Sequence, residues 1–112
     1  MIRVRWELEE AVVLLDAYLK NGSTLSVPEE KLSRLTALYQ ERARQLGYTV
    51  DEKFRNKAGL NMQLAGLHYV VTDGAEGLSN VSKIFYKAYD LYRDDPERFQ
   101  KIKDEFYRKY DV

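Results

Sequence analysis

The sequence contains no cysteine, only one histidine and only two prolines. Without cysteine there is no disulfide and no thiolate metal site, and one histidine is too few for a histidine-rich site. A lone histidine in a helical pattern, here His68, is more often a surface or half-buried hydrogen-bonding residue than a catalytic one. We therefore expect no bound metal and no cofactor.

The sequence also lacks an excess of charge and a long apolar run. It carries 18 basic and 18 acidic residues, so the whole chain has no net electrostatic attraction to nucleic acid or membrane. Its longest strictly apolar run, Ala11 to Leu15, is far too short to span a bilayer. The N-terminus lacks the apolar core of a signal peptide. These absences predict a cytoplasmic protein that does not contact membranes.

Signatures of enzyme chemistry are absent as well. The glycine pairs match neither the dinucleotide fingerprint nor a phosphate loop. The adjacent acids Glu9-Glu10 and Asp94-Asp95 would point to different faces of a helix, and they are better explained as charges that complement a helix N-terminus. We therefore expect no catalytic residue and a protein that is not an enzyme.

What the sequence does contain is helical periodicity, which predicts a compact all-α bundle of five helices in one domain, residues 1–112. Apolar spacing and punctuation place the helices at 6–20, 27–46, 57–71, 81–93 and 96–110. Ser26 and Glu29 suggest a capping box at the second helix, and Trp6 is expected to be buried between the first and third helices. The glycine-bearing segment 73–80 is predicted to be an ordered surface turn.

The charge map favours the middle of the chain as a contact surface. Residues 54–93 hold five basic and three acidic residues, and 54–72 hold no acid. This part also contains the amide and imidazole side chains that read base edges or phosphates. A neutral solvated face is the simpler explanation of the same pattern. The candidate DNA-binding residues are Arg55, Asn56, Lys57, Asn61, Gln63, His68, Lys83 and Lys87.

Nine tyrosines, several of them in the fourth and fifth helices, make the other notable feature. Helical spacing explains most of them as core or boundary residues. Tyr86 and Tyr89 lie on a different face from Phe85 and Ala88, which favours an interface with a protein partner or with a second copy of the chain.

The first three predicted helices resemble a Myb/SANT-like, trihelix (helix-turn-helix-like) arrangement. The chain is similar, more specifically, to the N-terminal head modules that precede HNH nuclease or other effector domains in bacterial restriction-type proteins. The resemblance rests on the W-x-x-E-E start at Trp6, on the segment 54–64 (FRNKAGLNMQL) and on the GLSN segment at 77–80. It implies a non-catalytic module that recognises DNA or another target, with Arg55, Asn56 and the third helix as contact surface.

Two functions are therefore carried forward. The first is DNA recognition, mainly through the third helix, by a chain related to or derived from a larger nuclease or helicase protein. The second is a protein-interaction or homo-oligomerising module that uses the tyrosine-rich fourth and fifth helices.

Overall fold

Helices account for all the regular secondary structure between residues 4 and 111, which are the residues that the computed structural model describes. The five helices are α1 (Leu8–Lys20), α2 (Glu29–Gln45), α3 (Lys57–Val71), α4 (Lys83–Asp94) and α5 (Pro96–Tyr110). Each bound lies within two residues of its prediction. The all-α, five-helix class is confirmed.

Helix α1 is the centre of the bundle. Every residue from Glu10 to Tyr18 is buried, and the helix packs against α3, α4 and α5. The uninterrupted apolar run 11–15 explains this position, since a helix that is apolar on all sides is stable only when it is covered on all sides.

Helices α3, α4 and α5 pack on α1, and the helices around α1 also pack on one another. Helix α2 packs against α3 and α5, and α4 packs against α3 and α5. Because α1 is covered by α4 and α5 as well as by α3, the first three helices share one core with the last two. None of the described helices is long and apolar enough to cross a membrane.

The helix starts show where local sequence rules hold and where they fail. The Asn56 side chain caps α3 by accepting a hydrogen bond from Gly59 N at 2.8 Å. The predicted capping box at Ser26 is wrong. Pro28 is the N-cap of α2, with extended backbone (ψ 144°), and this places Ser26 outside the helix. A contact of the capping-box type occurs instead at α1, where Glu7 N donates to the Glu10 carboxylate at 3.1 Å.

The segment 73–80 is an ordered turn along α3, as predicted. Leu78 N donates to Ala65 O at 3.1 Å, and Gly74 N donates to Tyr69 O at 2.8 Å. Gly77 has φ 96°, and a Cβ at this position would lie only 2.4 Å from Ala65 O. Only glycine allows this close approach of the two backbones.

Candidate functional site

The bundle has a groove of about 930 Å³. It opens between the beginnings of α3 and α4, and it is bordered by the segment before α1 and by the connection between α2 and α3. We call it the cationic groove. Its lining consists of Val4, Arg5, Trp6, Thr49, Val50, Asp51, Lys53, Phe54, Arg55, Asn56, Gly59, Gln63, Ser82, Lys83 and Ile84.

The charge of the cationic groove is mainly positive. Arg5, Lys53 and Lys83 are exposed and form no ion pair with any of residues 4–111. The only acid in the lining is Asp51, whose carboxylate accepts a hydrogen bond from the backbone N of Lys53 at 2.9 Å. A chain of zero net charge thus concentrates three unpaired cations around one concavity, which raises the local concentration of anions there.

Two helix starts border the same groove. Asn56 is the N-cap of α3 and Gly59 lies in the first turn of that helix, while Ser82 is the N-cap of α4 and Lys83 is its first residue. The Ser82 side chain makes no capping hydrogen bond, so the first backbone N–H groups of α4 lack side-chain partners. The helix dipoles add positive potential to that of the three cations.

Beneath the groove lies a buried ion cluster, which consists of Glu10, Arg42 and Arg55. Glu10 is 1% exposed, and its carboxylate accepts hydrogen bonds from Arg55 Nε at 3.0 Å and Nη2 at 3.2 Å. Arg42 Nη1 lies 3.6 Å from the same carboxylate. Glu10 was expected only to complement the α1 dipole. It does lie in the first turn, but as the buried partner of two arginines.

Arg42 is held in its charged state by carboxylates on the α1 side. Burial opposes its charge, but hydrogen bonds to Glu9 and Glu7 outweigh this effect and raise the pKa of Arg42 above its usual value. Tyr39, which is fully buried, donates its hydroxyl to Glu10 O at 2.8 Å. Burial, together with the Glu10 charge, raises the pKa of Tyr39 well above its usual value. The cluster therefore joins α1 to α2 and to the start of α3.

Arg55, a predicted DNA contact, is part of this cluster. Its side chain is 9% exposed, its guanidinium carbon lies 4.2 Å from the centre of the Trp6 ring and 4.4 Å from that of Phe54, and Nη2 donates to Arg5 O at 3.2 Å. Its donors are thus engaged within the fold. We interpret Arg55 as a positioning residue that holds the N-terminal segment against α3, at the edge of the groove.

Trp6 itself is half-buried. Its ring packs at 5.2 Å from that of Tyr39 in α2 and at 5.3 Å from that of Phe85 in α4. The prediction that Trp6 packs between α1 and α3 is wrong, because the chain before α1 runs across α2 and α4.

The other predicted DNA contacts divide into two groups. Gln63 and Lys83 line the groove together with Asn56, and the Gln63 side chain forms no hydrogen bond with any of the described residues. The rest lie elsewhere. Lys57 pairs with Glu29 at the start of α2, while Asn61 and Lys87 are exposed outside the groove lining.

His68 also lies away from the groove. Its Nδ1 is 2.6 Å from the Tyr18 hydroxyl and its Nε2 is 3.0 Å from the Glu76 carboxylate. The ring therefore joins α1, α3 and the segment 73–80. Among the described residues there is no group of three histidine, aspartate or glutamate side chains suited to a metal ion.

The candidate interface tyrosines differ in accessibility. Tyr86 is 42% exposed. Tyr89 is half-buried and stacks on Tyr92, with 6.4 Å between ring centres, while Arg93 lies over its ring at 5.4 Å. Tyr86 thus presents more free surface to a partner than Tyr89 does.

Arg5 and Lys53 line the groove, although they are not among the residues predicted from the sequence to contact DNA. The first 53 residues are balanced in charge when they are counted as a block, which hides basic residues that the fold brings together from separate segments. A signal was available in their positions, since Arg5 precedes Trp6 and Lys53 precedes Phe54, and both aromatic residues are near the groove.

Comparison of the chain with protein-family models, with curated proteins and with solved structures finds no match. The function must accordingly be argued from the groove and from the surfaces around it.

Proposed function

We propose that this chain is a non-catalytic DNA-recognition module that holds the DNA backbone in the cationic groove, at the start of α3. The observation that carries the proposal is the convergence of Arg5, Lys53 and Lys83, all unpaired within residues 4–111, on one groove with a single acid. Phosphate contacts of this kind supply most of the affinity of non-specific DNA binding.

The two helix starts support the same ligand chemistry. Backbone N–H groups and the positive end of the helix dipole favour a phosphate at a helix N-terminus. Here they add to the side-chain cations. The resemblance of the Trp6 and 54–64 segments to head modules of restriction-type proteins is consistent with this function.

Within the groove, Gln63 is the best candidate for contact with a base. Asn61 and Gln63 are both candidates from the sequence, but residues two apart on a helix diverge by about 200°, and Gln63 is the one that lines the groove. Its amide is free of protein hydrogen bonds and can donate and accept at a base edge.

Affinity should be modest and should depend strongly on salt. Three phosphate contacts correspond to a slope of log K against log salt of about −2.7. We expect micromolar or weaker dissociation constants for a short duplex at low salt, as is typical of a small number of phosphate contacts.

The test is fluorescence anisotropy of a labelled short DNA duplex over a series of salt concentrations. Lys83→Ala should weaken binding and make the slope shallower by about 0.9, the value of one phosphate contact. Gln63→Ala should leave the slope unchanged and reduce the difference in affinity between duplexes of different sequence.

Lys101→Ala provides the matched control. Lys101 is also an exposed helical lysine without an ion pair among the described residues, but it lies on α5 beside Glu97, Asp104 and Glu105, outside the groove. Its loss should leave DNA binding close to wild type. Absence of binding at low salt, or equal effects of Lys83→Ala and Lys101→Ala, would reject the proposal.

A second candidate function is protein interaction through α4. It is favoured by the exposed aromatic ring of Tyr86 on α4, a helix whose buried residues pack towards α1, α3 and α5. Exposed tyrosine is enriched at protein interfaces because its ring buries apolar area while its hydroxyl stays hydrated.

Sedimentation tests this candidate for self-association. At high concentration, the mass of the wild-type chain measured by sedimentation should exceed the monomer mass of 13.2 kDa. Tyr86→Ser should restore the monomer mass. Tyr48→Ser is the control, since Tyr48 is similarly exposed, at 39%, but precedes α3 rather than lying on α4. A monomeric wild type at all concentrations would remove the self-association form of this candidate.

A further inference from the structure

The side chains of Tyr18 and His68 form a hydrogen-bonded chain that no part of the proposed DNA contact uses. The Tyr18 hydroxyl lies 3.1 Å from Ser23 O, in the turn between α1 and α2, and 2.6 Å from His68 Nδ1. On the other side of the ring, His68 Nε2 lies 3.0 Å from Glu76 Oε1. The chain thus connects two surface turns through the inside of the bundle.

The number of protons in this chain depends on His68. Three hydrogen bonds need three donated protons, and the Tyr18 hydroxyl supplies one. A neutral imidazole supplies only one more, whereas an imidazolium ring supplies two. All three contacts are therefore satisfied together only when His68 is protonated.

When the ring is neutral, one contact must be lost, and the geometry indicates which. If the remaining proton were on Nδ1, the bare Nε2 would face the Glu76 carboxylate, with two acceptors 3.0 Å apart. A proton on Nε2 keeps the Glu76 contact. Nδ1 then accepts a hydrogen bond from the Tyr18 hydroxyl, and Ser23 O loses its donor.

We propose that His68 is a proton-dependent switch of the α1–α2 turn. When the ring is charged, the Tyr18 hydroxyl donates to Ser23 O and stabilises the turn. When the ring is neutral, the same hydroxyl donates to His68 Nδ1 instead. The turn is also held by Ser23 N, which donates to Tyr18 O at 3.1 Å. Without the Tyr18–Ser23 contact, the turn keeps this backbone hydrogen bond and the hydrogen bonds between the side chains and backbone of Asn21 and Thr24. The switch does not depend on DNA binding.

The surroundings of the ring are consistent with this role. Among residues 4–111, the ionisable groups hydrogen-bonded to the ring are Tyr18 from α1 and Glu76 from the segment 73–80, and the charges that act on Tyr18 are those of Glu76 and of Tyr89 from α4. No lysine or arginine forms an ion pair with Glu76 within residues 4–111. Burial is the main reason why the pKa of Tyr18 is raised, so its hydroxyl keeps its proton throughout the range in which an imidazole titrates.

The experiment is an NMR titration of the wild-type chain, in which His68 is the only histidine and its ring signals are unambiguous. The pH is varied over the whole range in which the ring signals change. We expect the Ser23 carbonyl ¹³C shift to follow the same midpoint as the His68 ring, and the neutral ring to carry its proton on Nε2. Exchange protection of Ser23 N, corrected for the intrinsic rate, should fall about fivefold from the acid to the alkaline limit, as for loss of one hydrogen bond.

Two conservative variants separate the switch from a general effect of pH. Tyr18→Phe should abolish the Ser23 response while the His68 ring still titrates. Tyr39→Phe, which removes another buried hydroxyl that donates to a backbone carbonyl, should leave the response intact. The proposal is overturned if the ring titrates without a Ser23 response, if the response survives in Tyr18→Phe, or if the neutral ring is protonated on Nδ1.

Discussion

Replacement of Arg55 by alanine distinguishes a structural arginine from a DNA contact. In the wild type, Arg55 donates twice to the Glu10 carboxylate, which is 1% exposed. Arg55→Ala would leave that carboxylate with Arg42 at 3.6 Å and Glu7 N at 3.1 Å. Removal of one partner of a buried ion pair costs about 3–5 kcal/mol of unfolding free energy. Because Glu10 keeps two partners, we expect a loss near the lower limit, about 3 kcal/mol.

The assay is urea unfolding at neutral pH, followed through the fluorescence of Trp6, the only tryptophan. Glu10→Gln, made in the wild type and in Arg55→Ala, completes a double-mutant cycle. Residues in direct contact should couple, and we expect a coupling energy of at least about 1 kcal/mol. Arg5→Ala, at an exposed arginine of the same groove, should change stability by less than about 0.5 kcal/mol.

A loss below about 0.5 kcal/mol for Arg55→Ala, the range of ordinary surface substitutions, would refute this reasoning. So would a cycle without coupling between Glu10 and Arg55. In either case Arg55 would be available to a ligand, as the sequence-based hypothesis had it. If the expected loss is found, weakened DNA binding by Arg55→Ala would not identify a contact, and Lys83→Ala is the appropriate probe.

Two further predictions concern the fold. Gly77→Ala should destabilise by about 2 kcal/mol or more, because a Cβ would lie 2.4 Å from Ala65 O on a strained backbone. Gly22→Ala, where φ is +71° but the space is open, should cost less, about 1 kcal/mol; equal losses in urea unfolding would contradict the steric argument. Burial raises the pKa of Tyr39 above its usual value, so its contribution to stability is complete below about pH 10 and is lost as the pH rises further. Above that pH the unfolding free energy of the wild type should therefore fall more steeply than that of Tyr39→Phe, by up to about 1.4 kcal/mol per pH unit. Parallel pH profiles of the two proteins would argue against a raised pKa of Tyr39.

Much of the local structure could be predicted from the sequence because the signals are themselves local. A period of 3.6 residues, the Asp95 cap and the glycines at 22 and 47 act within one or two turns of a helix. They predict each helix to within two residues. The central place of α1 also has a local signal, since the run 11–15 has no polar side.

The sequence alone determined the number, the limits and the apolar faces of the helices, whereas only the tertiary structure decided the environment of the polar residues. Glu10 and Arg55 are 45 positions apart and Tyr18 and His68 are 50 apart, and no periodicity specifies that such pairs meet. The cationic groove likewise combines Arg5, Lys53 and Lys83 from three separate segments. Helical propensity acts over a few residues, but burial and ion pairing depend on how the helices pack, and this is why the sequence does not show that the arginine of the FRN segment pairs with Glu10.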